Sequence, residues 1–72
     1  DVFLRFLNEN YVIDENSKIA ARTLYQHYQG WCAENGEKAV SNNKFGMEMT
    51  RLHVKKSRDQ NGTFYFLTEK NI

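Results

Sequence analysis

The side chains that could do chemistry in this sequence are concentrated between Asn42 and Arg58. Five Lys or Arg residues stand in this stretch against one carboxylate, Glu48. Cationic side chains neutralise phosphate, and an Asn amide can pair with the N6 and N7 atoms of adenine. The stretch therefore favours contact with the backbone and base edges of DNA. The residues that would make this contact are Asn42, Asn43, Lys44, Met47, Arg51, Lys55, Lys56 and Arg58.

The inference of DNA contact rests on how charge is distributed along the chain rather than on the net charge. The formal net charge is only +1 at pH 7. Residues 1–40 hold four Lys/Arg and six Asp/Glu, whereas residues 41–72 hold six Lys/Arg and three Asp/Glu. Positive charge is thus gathered in the C-terminal part of the chain, as in a basic patch that meets a polyanion. Phosphate contacts of this kind would make binding depend steeply on salt.

No constellation of catalytic residues accompanies the basic stretch. The sequence has no phosphate-binding glycine loop of the nucleotide hydrolases, no nucleophile motif and no paired carboxylates beside a base. His27 and His53 have no second His or Cys at a metal-ligand spacing, and the single Cys32 fits a reducing compartment. We expect a non-catalytic domain without metal, cofactor, small-molecule ligand or membrane span, acting in the cytoplasm.

Hydrophobic periodicity predicts the helices that must position the basic stretch. A first helix over residues 2–10, capped by Asp1, has one apolar face formed by Val2, Phe3, Phe6 and Leu7. The next three residues, 11–13, would fold back onto the core. The strongest helical pattern lies in residues 21–36, where a core stripe recurs at spacings of three and four: Leu24, Tyr25, Tyr28, Trp31 and Cys32. Asn35-Gly36 is a typical helix end.

A third helix is predicted over residues 41–54, with Ser41 as its N-cap. Its buried stripe has the spacing i, i+4 and i+7, and consists of Phe45, Met49 and Leu52. The opposite face consists of Asn43, Lys44, Met47, Thr50 and Arg51. Lys44 and Arg51 would stand two turns apart, roughly 10 Å along the axis.

A β-hairpin with its turn at residues 59–62 follows, and Asn61-Gly62 would supply the positive φ values of a tight turn. Val54 would oppose Leu67, which places Tyr65 and Leu67 on one face and Phe64 and Phe66 on the other. Two interpretations of these two phenylalanines stay open. They pack under the first helix or the flanking segments, or they are exposed and contact a sugar or an unpaired base.

The order of helix, short strand, two helices and hairpin is typical of an α+β winged helix-turn-helix. The short strand near residues 18–20 would pair with the hairpin in a small antiparallel sheet, because a lone hairpin is only marginally stable. In such a domain the third helix can enter the DNA major groove while the hairpin reaches the adjacent backbone. The length of 72 residues predicts one domain.

An ordered set of residues also resembles a known family. The set begins with Leu24-Tyr25, Tyr28 and Trp31-Cys32, and continues with Asn35-Gly36-Glu37, Ser41, Phe45-Gly46, Leu52, Gly62 and Tyr65. It resembles the C-terminal domain of phage and plasmid primase-helicases of the poxvirus nucleoside-triphosphatase type, over roughly residues 19–67. The resemblance implies that residues 1–72 are a C-terminal winged-helix fragment of a larger replication protein.

The same resemblance implies a task, which is to bind DNA, duplex or origin sequence, for the helicase of a mobile element. The helicase domain of the parent chain would be a further partner. Members of that family often carry more Arg in the third helix, whereas Met47 and Glu48 occupy its middle here.

A second function is open at this stage, that of a protein-interaction module. In that case Met47, Phe64 and Phe66 would form an apolar patch, and binding would depend only weakly on salt. A continuous basic stripe on the surface would favour DNA binding, and an apolar patch rimmed by polar groups would favour protein binding.

Overall fold

The computed structural model describes residues 1–70, whose elements follow the predicted order with two strands added. The helices are α1 (Val2–Asn10), α2 (Ala21–Glu34) and α3 (Asn42–Arg51). The strands are β1 (Tyr11–Ile13), β2 (Ile19–Ala20), β3 (Lys56–Asp59), β4 (Gly62–Tyr65) and β5 (Leu67–Glu69). The predicted α+β class is confirmed, and the arrangement is winged-helix-like.

The ends of α1 and α2 are fixed by the residues that the sequence indicated. The carboxylate of Asp1 accepts hydrogen bonds from the backbone N–H groups of Phe3 at 3.0 Å and Leu4 at 3.3 Å. At the end of α2, Gly36 adopts the left-handed conformation with φ of 69°. This turn lets the N–H of Glu37 donate to the carbonyl of Cys32 at 2.9 Å, which closes the helix.

The end of α3 was predicted wrongly. The helix stops at Arg51 instead of continuing to residue 54, because His53 is left-handed with φ of 60°. The N–H of Val54 then donates to the carbonyl of Met49 at 3.1 Å, and that of His53 to Thr50 at 3.0 Å. Glycine usually occupies this position, so a histidine gives no stop signal in the sequence.

The predicted three-stranded antiparallel sheet is confirmed, with the order β2-β4-β3. We call its β3–β4 hairpin the wing. Its register pairs Lys56 with Tyr65 and Arg58 with Thr63. The predicted pairing of Val54 with Leu67 is not part of this ladder, because Leu67 pairs with Ile13 in a second sheet. The turn differs from the prediction at Asn61, since only Gly62 has a positive φ, at 121°. A hydrogen bond of 2.7 Å from the Asn61 N–H to the Asp59 carboxylate shapes the turn instead.

A second, two-stranded sheet was not predicted. The chain bends after β4 and runs as β5 along β1, where Tyr11 pairs with Glu69 and Ile13 with Leu67. Tyr11 is buried, but Val12 and Ile13 are exposed, so only one of these three residues packs onto the core as expected. Strands of three residues are too short to show a periodic pattern, and their partners are distant in the sequence.

The core lies between the three helices and the inner face of the wing. Its most deeply buried side chains are Phe6, Leu24, Tyr28, Cys32, Phe45 and Met49. The core stripe predicted for α2 is confirmed, although Tyr25 is half-buried. Tyr65 and Leu67 are also buried, as the predicted alternation of faces requires. Among residues 1–70, no helix is long and apolar enough to cross a membrane.

Candidate nucleic-acid interface

The position of α3 is set by two tyrosines of α2. The hydroxyl of Tyr25 donates to the carbonyl of Val40 at 2.8 Å, and the hydroxyl of Tyr28 accepts from the Val40 N–H at 3.1 Å. Burial raises the pKa of Tyr28, which keeps its hydroxyl neutral. Ser41 follows directly and caps α3 by accepting from the Lys44 N–H at 3.1 Å. Both backbone groups of Val40, its carbonyl and its N–H, are therefore bound by α2 directly before α3 begins.

A groove of about 590 Å³ separates α3 from the wing. Its α3 wall holds amides, a thioether and a hydroxyl, and its opposite wall belongs to the wing and to the start of α2. The amino group of Lys56 lies 3.5 Å from the hydroxyl of Thr50, which joins the two walls. The lining residues are Ala21, Asn42, Asn43, Gly46, Met47, Thr50, Lys56, Thr63 and Tyr65. We call this the α3–wing groove.

The two cations of α3 are neutralised within the protein. The carboxylate of Glu48 lies 3.0 Å from the Lys44 ammonium and 2.5 Å from the Arg51 guanidinium. Arg51 also contacts the carboxylate of Asp1 at 2.5 Å. The hydrogen bond from Arg51, and then that from Lys44, lowers the pKa of Glu48, so this carboxylate is charged at neutral pH. These residues form a face of α3 beside the groove.

The cations of the wing are divided between its two faces. Because side chains alternate along a strand, Lys56 and Arg58 share a face with Thr63 and Tyr65, which line the groove. Lys55 belongs to the opposite face. No carboxylate within residues 1–70 makes an ion pair with any of these three cations.

The outer face of the wing carries two aromatic rings covered by lysines. The Lys18 ammonium lies 4.8 Å from the ring centre of Phe64, and the Lys55 ammonium lies 5.5 Å from that of Phe66. Both rings are half-buried, and neither belongs to the core. Each ring is therefore partly covered by a lysine, and neither ring is fully buried or fully exposed.

Comparison with known protein families identifies a family to which the chain is similar over its whole length. The family model described as "Poxvirus D5 protein-like" matches residues 1–72. The chain belongs to the poxvirus D5 protein-like family. This membership supports the relation to primase-helicases that the sequence resemblance implied. No curated protein matches the chain.

In this member of the D5-like family, half of the predicted site residues meet in one place. The α3–wing groove holds Asn42, Asn43, Met47 and Lys56, and Arg58 shares the groove side of the wing. Lys44 and Arg51 lie on the ion-paired face of α3, and Lys55 lies on the outer face of the wing.

Five lining residues were not among the predicted site residues: Ala21, Gly46, Thr50, Thr63 and Tyr65. Thr50 carried a signal, because it follows Asn43 by seven residues on the same exposed face. Thr63 carried a weaker one, as the residue that pairs with Arg58 across the wing.

The side chain of His27 in this D5-like chain is paired with a tyrosine. Nδ1 of His27 lies 2.5 Å from the hydroxyl of Tyr11, and this hydroxyl keeps its proton at neutral pH because burial and the nearby Glu69 raise the pKa of Tyr11 to about 12. Within residues 1–70 no group of His, Cys, Asp or Glu side chains is suited to hold a metal ion.

Proposed function

We propose that this chain is a winged-helix DNA-binding module of a replicative primase-helicase from a phage, plasmid or virus. The observation that carries the proposal is the α3–wing groove, where the exposed amides of Asn42 and Asn43 face a wing whose cations make no ion pair within residues 1–70. Duplex DNA is the partner that suits this arrangement. The N-terminal half of α3 would meet base edges, and the wing would meet the adjacent phosphates.

The charges explain why the wing would bind phosphates while α3 would contact bases. Lys56 and Arg58 have no carboxylate partner within the described residues and stand at the groove side of the wing, where a phosphate would find them unneutralised. The module itself would be non-catalytic and would act without cofactor in the cytoplasm. Nucleotide hydrolysis would belong to another part of a parent protein.

Fluorescence anisotropy with a labelled 20-base-pair duplex, measured over a series of salt concentrations, tests this function. Lys56→Ala should weaken binding and reduce the slope of log K against log salt by about 0.9, since one phosphate contact is lost. The control is Lys38→Ala, which removes an equal charge from the exposed loop between α2 and α3 and should change neither quantity. Absence of duplex binding at low salt, or equal slopes for both variants, would contradict the proposal.

A second function, that of a protein-interaction module, is favoured by a different surface. Leu4, Val12 and Ile13 are exposed by 44%, 45% and 78% around an apolar groove of about 440 Å³. The patch predicted from Met47, Phe64 and Phe66 is not continuous, because Met47 lines the α3–wing groove and the phenylalanines lie on the outer face of the wing. A protein bound at the apolar groove would leave the α3–wing groove open to DNA.

A further inference from the structure

We infer that the α3–wing groove reads A·T base pairs through the major groove of duplex DNA. The amides of Asn42 and Asn43 would bind adenine, and the thioether side chain of Met47 would contact the methyl group of thymine. This inference rests on the proposed function, and it adds the class of sequence that the module selects.

The first argument is that the charged side chains of α3 are already engaged in ion pairs. Guanine is most often read by a bidentate Arg or Lys, and cytosine by a carboxylate that accepts from N4. On α3 these groups are Lys44, Arg51 and Glu48. The Glu48 carboxylate binds the Lys44 ammonium at 3.0 Å and the Arg51 guanidinium at 2.5 Å. The helix therefore presents no free group of the kinds that specify a G·C pair.

The second argument is the chemistry that remains on the groove face. Asn42 and Asn43 are exposed in the first turn of α3 and line the groove. An Asn amide combines a donor and an acceptor, which matches N7 and N6 of adenine and gives a bidentate pair. The end of a recognition helix at which these residues stand is the one that approaches base edges.

The third argument is the position of Met47. It is 62% exposed and lines the groove one turn after Asn43, about 6 Å further along the helix axis. This distance is close to two base-pair steps of about 3.4 Å, so the two residues can contact pairs that lie two steps apart in one orientation. An exposed apolar side chain gains from burial, and the thymine C5-methyl is the apolar group that the major groove offers.

Within residues 1–70, Lys56 is the one cation that lines the groove, and it stands on the wing wall rather than on α3. Its ammonium is 3.5 Å from the Thr50 hydroxyl of α3. This position lies beside the DNA backbone that would flank α3 in the major groove. We assign it to phosphate. Its removal should therefore weaken all duplexes by the same factor.

The test compares duplexes of equal length and flanks whose central four pairs are A·T, G·C or inosine·cytosine. Inosine·cytosine keeps the minor groove of A·T but has the major-groove acceptors of G·C, so it separates major-groove reading from reading of the minor groove or of DNA shape. The A·T duplex should bind roughly tenfold tighter than both others. Replacing adenine by 7-deazaadenine should remove most of that preference, because N7 is lost.

Variants assign the preference to residues. Asn42→Ala and Asn43→Ala together should reduce the A·T preference to about twofold or less, and Met47→Ala should make thymine and uracil duplexes equivalent. All three changes are at exposed positions, and circular dichroism checks that the fold is kept. Lys56→Ala is the control that should preserve the preference.

The outcomes separate the two proposals. Salt-dependent binding with equal affinity for the three duplexes overturns A·T reading and leaves the proposed function standing. Inosine·cytosine binding as tightly as A·T, or Lys56→Ala weakening G·C alone, also overturns A·T reading. Absence of binding to every duplex overturns the proposed function together with this inference.

Discussion

The cations of α3 and those of the wing differ in whether a carboxylate of the protein pairs with them. Lys44 and Arg51 bind the carboxylate of Glu48 between them, and Arg51 also binds Asp1, so two cations are balanced by two carboxylates. Lys56 and Arg58 have no such partner within residues 1–70. In the sequence all four belong to one basic stretch. Counting charges along a sequence therefore overestimates the charge that a polyanion can meet.

This difference in ion pairing should decide whether α3 or the wing supplies most of the affinity for DNA. Ion pairs with half-exposed cations, such as Lys44 and Arg51, are weak, so a DNA phosphate can displace Glu48 from either of them. The displaced carboxylate would then lie near the phosphate and repel it. We expect the wing to provide most of the counterion release on binding, and α3 to provide base contacts.

The largest expected effect comes from breaking the wing. Gly62 has φ of 121°, a conformation that side chains rarely adopt, so Gly62→Ala should destabilise the turn by about 1–3 kcal/mol. DNA affinity should fall with it, because the wing loses its register. Urea denaturation and anisotropy measure both quantities.

Gly30→Ala is the matched control for that variant. Gly30 is an exposed helical position with open space at its missing Cβ, so alanine should stabilise α2 by about 1 kcal/mol. If Gly62→Ala were equally harmless, the turn would not depend on the conformation of Gly62.

The next effect comes from freeing a cation of α3. Glu48→Gln removes the shared carboxylate, so Lys44 becomes available to phosphate while Arg51 keeps its pair with Asp1, and the salt slope should steepen by about 0.9. Glu34→Gln makes the same change of charge on exposed α2 and should leave the slope unchanged. An unaltered slope for Glu48→Gln would mean that α3 lies too far from the backbone for phosphate contact.

A smaller effect is expected at the boundary between the two regions. His53 is left-handed with φ of 60°, at a cost of about 1–2 kcal/mol that glycine avoids. His53→Gly should raise the free energy of unfolding by about 0.5–1 kcal/mol, after the greater freedom of glycine in the unfolded chain is subtracted. His53→Ala keeps the β-carbon and should give no gain. Urea denaturation of the three proteins decides this point.

The smallest effect is the pH dependence of the α3 ion pairs. Because the folded pKa of Glu48 lies below its ordinary value of 4.5, its stabilising contribution is present above about pH 4.5 and is lost as the pH falls through the folded pKa. The difference in stability between wild type and Glu48→Gln should thus be constant from pH 7 to 5 and shrink below that. A difference that changed between pH 7 and 6 would show that another group controls it.

The parts of the fold that depend on local signals were predictable. Apolar spacing gave the three helices, Asp1 and Ser41 gave two helix starts, and Gly36 gave the end of α2. The end of α3 was not predictable, since His53 adopts a conformation that its residue type does not favour. The β1–β5 sheet was missed because its pairing joins two short segments from opposite ends of the chain.

The site was predictable as a region but not in its internal arrangement. Exposure on one face of α3 indicated Asn43 and Met47, and the structure places both in the α3–wing groove. The ion pairs of Glu48 were readable in principle, because Lys44 and Arg51 stand four residues before and three after it. The separation of Lys55 from Lys56 follows from strand alternation, once the strand boundaries are known.

The salt dependence of duplex binding by two variants tests the central claim most directly. One is Lys56→Ala/Arg58→Ala, and the other is Lys44→Ala/Glu48→Ala/Arg51→Ala, which removes the whole ion-paired cluster of α3. The account predicts that the wing variant lowers the slope of log K against log salt by about 1.8, while the α3 variant lowers it by less than about 0.9. A slope that falls in the α3 variant and stays unchanged in the wing variant would contradict it.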